Sequence, residues 1–84
     1  MPTIQSHYAD VLHELKVAFA EKGAPLPIKN DDSVSDIFEN NEKVADIVNR
    51  RFFPGGGGVD ANQIGDLTVA DLADLIVDLQ KSNL

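Results

Sequence analysis

Apolar residues recur at helical spacing near the start of the chain, over residues 4–22. The positions i, i+3, i+4 and i+7 form one stripe, which consists of Tyr8, Val11, Leu12, Leu15 and Phe19. This period is typical of a helix that buries one face. Ser6 is suited to cap the start of such a helix, and Gly23 is suited to follow its end. The pattern therefore predicts a first helix over residues 4–22.

The helical period is lost in the next stretch, APLPIKNDDSVSDIF. Pro25 and Pro27 exclude a helix there, because proline lacks a backbone N–H and restrains the residue before it. We expect a long loop that is fixed to the core by its apolar side chains, namely Leu26, Ile28, Val34, Ile37 and Phe38. Ser33 with Asp36, or Ser35 alone, is expected to cap a short turn before the next helix.

A second helix is predicted from Asn40 or Asn41 to Phe52. Either asparagine can cap it, because the side-chain oxygen accepts a hydrogen bond from a free backbone N–H. Its inner face is expected to consist of Val44, Ile47 and Val48. Carboxylates near its start and two arginines near its end suit the helix dipole. Pro54 stops the helix, and the four glycines that follow are expected to form a flexible joint.

The last third of the chain has the clearest pattern. Asp60 is expected to cap a one-turn helix that closes at Gly65, and Thr68 with Asp71 forms the sequence of a capping box. The stripe of the final helix consists of Val69, Leu72, Leu75, Ile76 and Leu79. Residues 1–84 therefore predict a single all-α domain. Its architecture is a bundle of three longer helices and one short helix, with a long first loop.

The formal charge of −7 restricts the partners that we expect. Nucleic acids and anionic membranes attract clusters of Lys and Arg, so neither is an expected ligand. A basic protein surface is the natural complement. The predicted contact residues are carboxylates of the second helix and of the loop before it: Asp31, Asp32, Asp36, Glu39, Glu42 and Asp46. Charge of one sign also keeps a small protein soluble, and we expect a monomer.

Residue types that support catalysis are scarce. The chain has no cysteine, and both of its histidines lie on the predicted first helix. No set of nucleophile, base and orienting acid can be assembled from this inventory, so we expect no enzyme. The sequence lacks a signal-peptide pattern at its start, and no apolar run approaches the ~20 residues of a membrane span. The cytoplasm is the expected compartment.

Two stretches share some features of metal sites. His7, Asp10 and Glu14 lie on one predicted helix face, but a fourth ligand is missing. Residues 31–42 begin with Asp and end with Glu, as calcium loops do, yet Asp36 occupies the sixth position, where the sharp turn requires Gly. The four glycines lack the Lys-Ser/Thr pair of a phosphate loop. We therefore expect neither a metal nor a nucleotide.

Three segments, taken in order, resemble a known family. DANQIGDLTVADLADLI combines a short turn, a Thr-Val pair and an Asp-Leu-rich helix, NDDSVSDIF is an Asp-rich loop, and ADIV is a short core run. Over roughly residues 8–80 this order is similar to that of the acyl and peptidyl carrier proteins. The resemblance implies a helical bundle whose acidic second helix docks on basic patches of biosynthetic enzymes. Such enzymes are synthases, transferases or ligases of lipid, polyketide or peptide biosynthesis.

The family attaches a phosphopantetheine arm to the serine of an Asp-Ser-Leu motif at the start of the second helix. In this chain Asn41 aligns with that serine, and Glu42 aligns with the leucine. An amide cannot accept the arm as a phosphodiester. The alternative attachment site is Ser33, within Asp-Ser-Val, which implies one helix running from Ser33 to Phe52.

Three functions remain open from the sequence. The first is a carrier-like protein that docks on enzymes without a normal phosphopantetheine site. The second is a working carrier with the arm on Ser33. The third is an acidic helical interaction or regulatory protein that is unrelated to acyl transfer.

Overall fold

The computed structural model describes the backbone of residues 4–82 and the side chains of residues 7–82. Five helices follow one another along the chain: α1 (Ile4–Glu21), α2 (Val34–Ile37), α3 (Asn41–Phe52), α4 (Ala61–Ile64) and α5 (Val69–Ser82). The described residues contain no strand, only an isolated antiparallel bridge between Ser33 and Thr68. The predicted all-α bundle is confirmed, but it has two short helices instead of one. The expected short turn before α3 is a separate one-turn helix.

The first helix differs slightly from its prediction at both ends. It begins at Ile4, so Ser6 lies inside its first turn and not at its cap. It ends at Glu21, and Gly23 follows with a φ of 93°. The N–H groups of Gly23 and Ala24 donate to the carbonyls of the last turn, at 3.1 and 3.0 Å. Gly23 is therefore a C-terminal cap residue whose left-handed backbone suits glycine.

The caps predicted for α3, α4 and α5 are present, whereas the predicted side-chain cap by Ser33 before α2 is absent. Asn40 precedes α3, and its Oδ1 accepts a hydrogen bond from the N–H of Glu42 at 2.8 Å. The N–H of Asp60 donates to Oε1 of Gln63 at 2.9 Å before α4. At the start of α5, the hydroxyl of Thr68 accepts from the N–H of Asp71 at 3.1 Å. These bonds satisfy N–H groups that have no partner within their own helix.

The core forms where α1 packs against both α5 and α3, while α2 and α4 pack against α3. The three residues predicted for the inner face of α3 are all buried: Val44, Ile47 and Val48. The rings of Phe19 and Phe38 meet edge to face, with centroids 5.3 Å apart and planes at 78°. This arrangement is favourable for aromatic pairs, and it fixes the segment before α3 to the last turn of α1.

The long loop is fixed to the core by most of the predicted side chains. Ile28, Val34 and Phe38 are buried and Ile37 is half-buried. Leu26 is the exception, because 72% of its surface is exposed. The peptide bond between Leu26 and Pro27 is cis. The prediction that Leu26 anchors the loop is therefore wrong.

The turn after α3 depends on a side-chain amide. Oδ1 of Asn49 accepts from the N–H of Val59 at 2.8 Å, and Nδ2 of Asn49 donates to the carbonyl of Val59 at 2.9 Å. A Cβ added to Gly58 would overlap Oδ1 of Asn49. The last of the four glycines is therefore required by a close approach and does not serve only as a joint.

Within the part of the chain that the structure covers, no helix combines the length and the apolar character that are needed to cross a bilayer.

Candidate functional site

The predicted contact residues lie mostly on one continuous stretch, residues 31–42, which we call the acidic segment. Asp31 and Asp32 precede α2, Asp36 lies in α2, Glu39 lies between α2 and α3, and Glu42 lies in the first turn of α3. Asp32 is half-buried and the other four are exposed. The structure therefore presents four of these five carboxylates directly to solvent.

The carboxylates of the acidic segment form no ion pair within the described residues. The ion pairs found there join Arg50 to Asp46 at 3.0 Å, and Arg51 to Glu14 and Glu21 at 2.8 and 3.3 Å. The nearest lysine in sequence, Lys43, has its Nζ 5.2 Å from the centroid of the Phe38 ring. The negative charge of the acidic segment is thus not neutralised by salt bridges, unlike that of the three acids paired with arginine.

The structure corrects the prediction that the second helix is acidic. The helix is interrupted between Ile37 and Asn41, so α2 and α3 are separate. Helix α3 itself carries two carboxylates and three cations, and is not acidic. Asp46 faces solvent but is paired with Arg50. Among the predicted contact residues, the carboxylates without an ion pair therefore lie before α3 and in its first turn.

Backbone hydrogen bonds hold the acidic segment against the start of α5. The N–H of Val34 donates to the carbonyl of Leu67, and the N–H of Val69 donates to the carbonyl of Asp32, both at 3.0 Å. At the start of the segment, Oδ2 of Asp32 accepts from the N–H of Lys29, in the loop before it, at 2.9 Å. The sequence did not predict the backbone pairing with the start of α5, because contacts between residues far apart in the chain produce no local periodic pattern.

Ser33, the alternative attachment residue, precedes α2. Its side chain makes no capping hydrogen bond, and its Oγ lies 3.0 Å from Oγ of Ser35. The residue is half-buried. The single long helix from Ser33 to Phe52 that this alternative implied is not present, since α2 ends at Ile37. Ser33 retains a hydroxyl that a transferase could modify, and its modification stays a prediction.

Asn41, which the resemblance aligns with the modified serine, is the first residue of α3. Its Nδ2 lies 3.4 Å from the carbonyl of Gly65, which is a long hydrogen bond. Its Oδ1 is buried and has no hydrogen-bond partner among the described residues. A carboxamide has no hydroxyl to esterify, so this position does not fit a phosphopantetheine arm.

The remaining polar groups that the structure describes do not form a metal site. Among the described residues, no group of three His, Cys, Asp or Glu side chains is placed to hold a metal ion. Nε2 of His7 lies 2.6 Å from Oε1 of Gln80, which connects α1 to α5. Burial raises the pKa of Tyr8, and the nearby carboxylates of Asp74 and Asp71 raise it further.

Comparisons with protein-family models, with curated protein sequences and with solved structures gave no match.

Proposed function

We propose that this chain is a carrier-protein-like binding protein that works without a phosphopantetheine arm at the start of α3. Its acidic segment docks on a basic surface of a biosynthetic enzyme of the synthase, transferase or ligase type. It acts by binding and not by catalysis, as a monomer in the cytoplasm. The observation that carries this proposal is the exposed, unpaired charge of the acidic segment.

The resemblance in the order of segments supports the carrier-like part of the proposal. A long helix, a long loop that contains α2, a helix, a one-turn helix and a final helix follow one another, and the resemblance implies this order apart from α2. The surface at the start of α3 corresponds to the region through which the family docks. Here that region contains Asp36, Glu39 and Glu42, but Asn41 in place of the modified serine.

Electrostatic complementarity of this kind accelerates encounter and sets specificity more than it adds affinity. We therefore expect fast and salt-sensitive binding of a basic partner. The logarithm of the affinity should fall with the logarithm of the salt concentration, since exposed charges are screened over about 8 Å at physiological ionic strength. Binding that is indifferent to salt would remove the proposal.

A Lys- and Arg-rich helical peptide serves as the probe, and isothermal titration calorimetry measures its binding at several salt concentrations. The test variant combines Asp36→Asn, Glu39→Gln and Glu42→Gln. At roughly 0.2–1 kcal/mol for each exposed charge pair, the affinity should fall about three- to hundredfold.

A matched control separates a defined site from net charge. The control variant combines Asp10→Asn, Asp74→Asn and Asp78→Asn, which are also exposed and remove the same number of charges from α1 and α5. We expect this variant to bind the probe nearly as well as the wild-type protein. An equal loss of affinity in both variants would show that the probe responds to total charge, and the acidic segment would then have no special role.

Intact mass spectrometry distinguishes the binding protein from a working carrier. The protein is incubated with coenzyme A and a phosphopantetheinyl transferase, and we expect no gain in mass for the wild type. Asn41→Ser should gain one phosphopantetheine group if the alignment with the family is correct. A wild-type gain that is lost in Ser33→Ala would instead establish the arm on Ser33.

The third open function, an interaction or regulatory protein unrelated to acyl transfer, would give a different set of results. Salt-sensitive binding through the acidic segment would persist, but Asn41→Ser would stay unmodified. Binding and modification together therefore separate all three functions.

A further inference from the structure

A second surface has the opposite character to the acidic segment. An open depression of about 380 Å³ lies beside α1, and its lining includes Leu26, Pro27, Val17 and Ile28. We call this surface the Leu26 patch. Leu26 is 72% exposed, which is more than any other large hydrophobic side chain among the described residues. An exposed apolar patch with polar residues at its rim is typical of an interaction site.

The charge at the rim of the Leu26 patch is positive. The titratable side chains that line the depression are Lys16 and His13, and none of the lining residues is acidic. Lys16 is half-buried and forms no ion pair within the described part of the chain. In a protein with a net charge of −7, a surface with this composition is complementary to an apolar ligand that carries carboxylates.

We propose that the Leu26 patch binds an acidic amphipathic helix of another protein. The apolar stripe of that helix would cover Leu26 and Val17, and carboxylates beside the stripe would lie near Lys16. This is the helix-in-groove mode of recognition, in which apolar anchors at i, i+3, i+4 and i+7 meet a complementary surface.

Other occupants fit this surface less well. A symmetric dimer through the patch would bring the Lys16 side chains of both copies together, in addition to two net charges of −7. A small amphiphile usually binds in a pocket that buries 70–90% of its surface. Here the depression is open and Leu26 in its lining is largely exposed. Such a surface suits a protein partner that covers it with an apolar face.

The net charge of the protein does not prevent this contact at physiological salt. The Debye length is then about 8 Å, so the partner's carboxylates experience mainly the charges nearest to them. At the patch the nearest charge is that of Lys16. The acidic segment uses none of the patch residues, so the two surfaces are independent of each other.

Two synthetic peptides of about 18 residues test the proposal, since shorter peptides form unstable helices. Both carry the same leucine stripe, and one has Glu and the other Gln beside it. Fluorescence anisotropy at 0.15 M salt measures their binding. We expect the Glu peptide to bind more tightly, and we expect its affinity to fall about tenfold or more in Leu26→Ser, because one largely exposed leucine loses its burial on binding.

Lys16→Gln isolates the role of charge. It should weaken binding of the Glu peptide and leave the Gln peptide unchanged, so that the two peptides bind alike. Lys81→Gln, which removes the same charge from an exposed position outside the patch, is the matched control and should change neither affinity. Circular dichroism of each variant confirms that the fold is intact, which the exposure of Leu26 leads us to expect.

Amide chemical shifts locate the contact directly. Addition of the Glu peptide should move the resonances of Lys16, Val17 and Leu26 and leave those of Glu39 and Glu42 in place. The proposal is overturned if the Glu peptide does not bind saturably, or if binding is unchanged in Leu26→Ser. It is also overturned if the shifts cluster elsewhere on the protein.

Discussion

Replacement of Asn49 by alanine removes both hydrogen bonds that hold the backbone of Val59 against α3. The two bonds measure 2.8 and 2.9 Å, and each involves one atom of the side-chain amide. Only 2% of Val59 is exposed, so water cannot readily replace the lost partners. At about 0.5–1.5 kcal/mol for each intramolecular hydrogen bond, the free energy of unfolding should fall by about 1–3 kcal/mol.

Gly58 makes this prediction specific to the amide of Asn49. A Cβ at residue 58 would overlap Oδ1 of Asn49 and would lie 3.1 Å from a ring carbon of Phe53. Gly58→Ala must therefore displace the amide and should destabilise the wild-type protein by a similar amount. Gly58 does not have a positive φ, so alanine fits its backbone. In the Asn49→Ala background the overlap with the amide is absent and only the contact with Phe53 remains, so the same substitution should change stability by less than about 1 kcal/mol.

Urea unfolding followed by circular dichroism measures all four members of this double-mutant cycle. We expect the two single changes to be non-additive by roughly 1–3 kcal/mol, because they disrupt the same contact. In thermal unfolding, a loss of about 2 kcal/mol corresponds to a fall of about 8–16 °C in Tm for a domain of this size. Asn62→Ala and Gly55→Ala are the controls, since Asn62 is exposed and a Cβ at Gly55 meets nothing within 4 Å.

Two results would refute this account of the turn. One is an Asn49→Ala protein that is within about 0.5 kcal/mol of the wild type, which is the range of an ordinary surface substitution. The other is an additive cycle, which would mean that Gly58 is required for a reason unrelated to Asn49.

Three further predictions follow from individual contacts. Because burial and Asp74 raise the pKa of Tyr8 above its ordinary value of 10.0, the folded protein holds this proton more tightly. Stability should therefore fall as the pH rises above about 10, and Asp74→Asn should partly lower the pKa in an absorbance titration of this single tyrosine. Phe19→Ala should cost about 3–5 kcal/mol by urea unfolding, whereas Leu26→Ala should change stability by less than about 0.5 kcal/mol. Asn41→Leu should leave stability unchanged or raise it, as measured by Tm, because it removes a buried oxygen that has no partner.

The helices were predictable because their signals are local. The apolar stripe of α3 and the caps at Asn40, Asp60 and Thr68 each depend on residues within one or two turns. A side chain that satisfies a nearby backbone N–H leaves a recognisable residue type at a fixed distance from the helix. The sequence pattern therefore predicts the three long helices and α4 to within about two residues.

The features that the sequence did not predict depend on contacts between distant residues. The backbone pairing of Val34 with Leu67 fixes the acidic segment, yet neither residue type indicates it. The exposure of Leu26 is similarly invisible, because an apolar residue in a loop has the same sequence signal whether it is buried or not. The acidic residues and the start of α3 were identifiable, but the sequence did not predict that the turn before α3 is a helix of its own.

The acidic segment also shows why binding and stability must be measured together. Asp32 accepts a backbone N–H within its loop, and Glu42 lies in the first turn of α3, where a carboxylate is favoured by about 0.3–1 kcal/mol. Neutralising either residue changes the scaffold as well as the surface. Glu39 differs, because it is exposed, lies between α2 and α3, and has no hydrogen bond or ion pair from its side chain among the described residues.

Glu39→Lys is consequently the single substitution that best separates the two effects. Its unfolding free energy should stay within about 0.5 kcal/mol of the wild type, while its affinity for the basic probe peptide falls and its salt dependence weakens. If the affinity is unchanged, Glu39 does not contact the basic partner and the docking surface must be confined to the charges beside α2 or in α3. If stability falls as much as binding, the loss of affinity reports on folding, and the acidic segment is a structural element of the bundle.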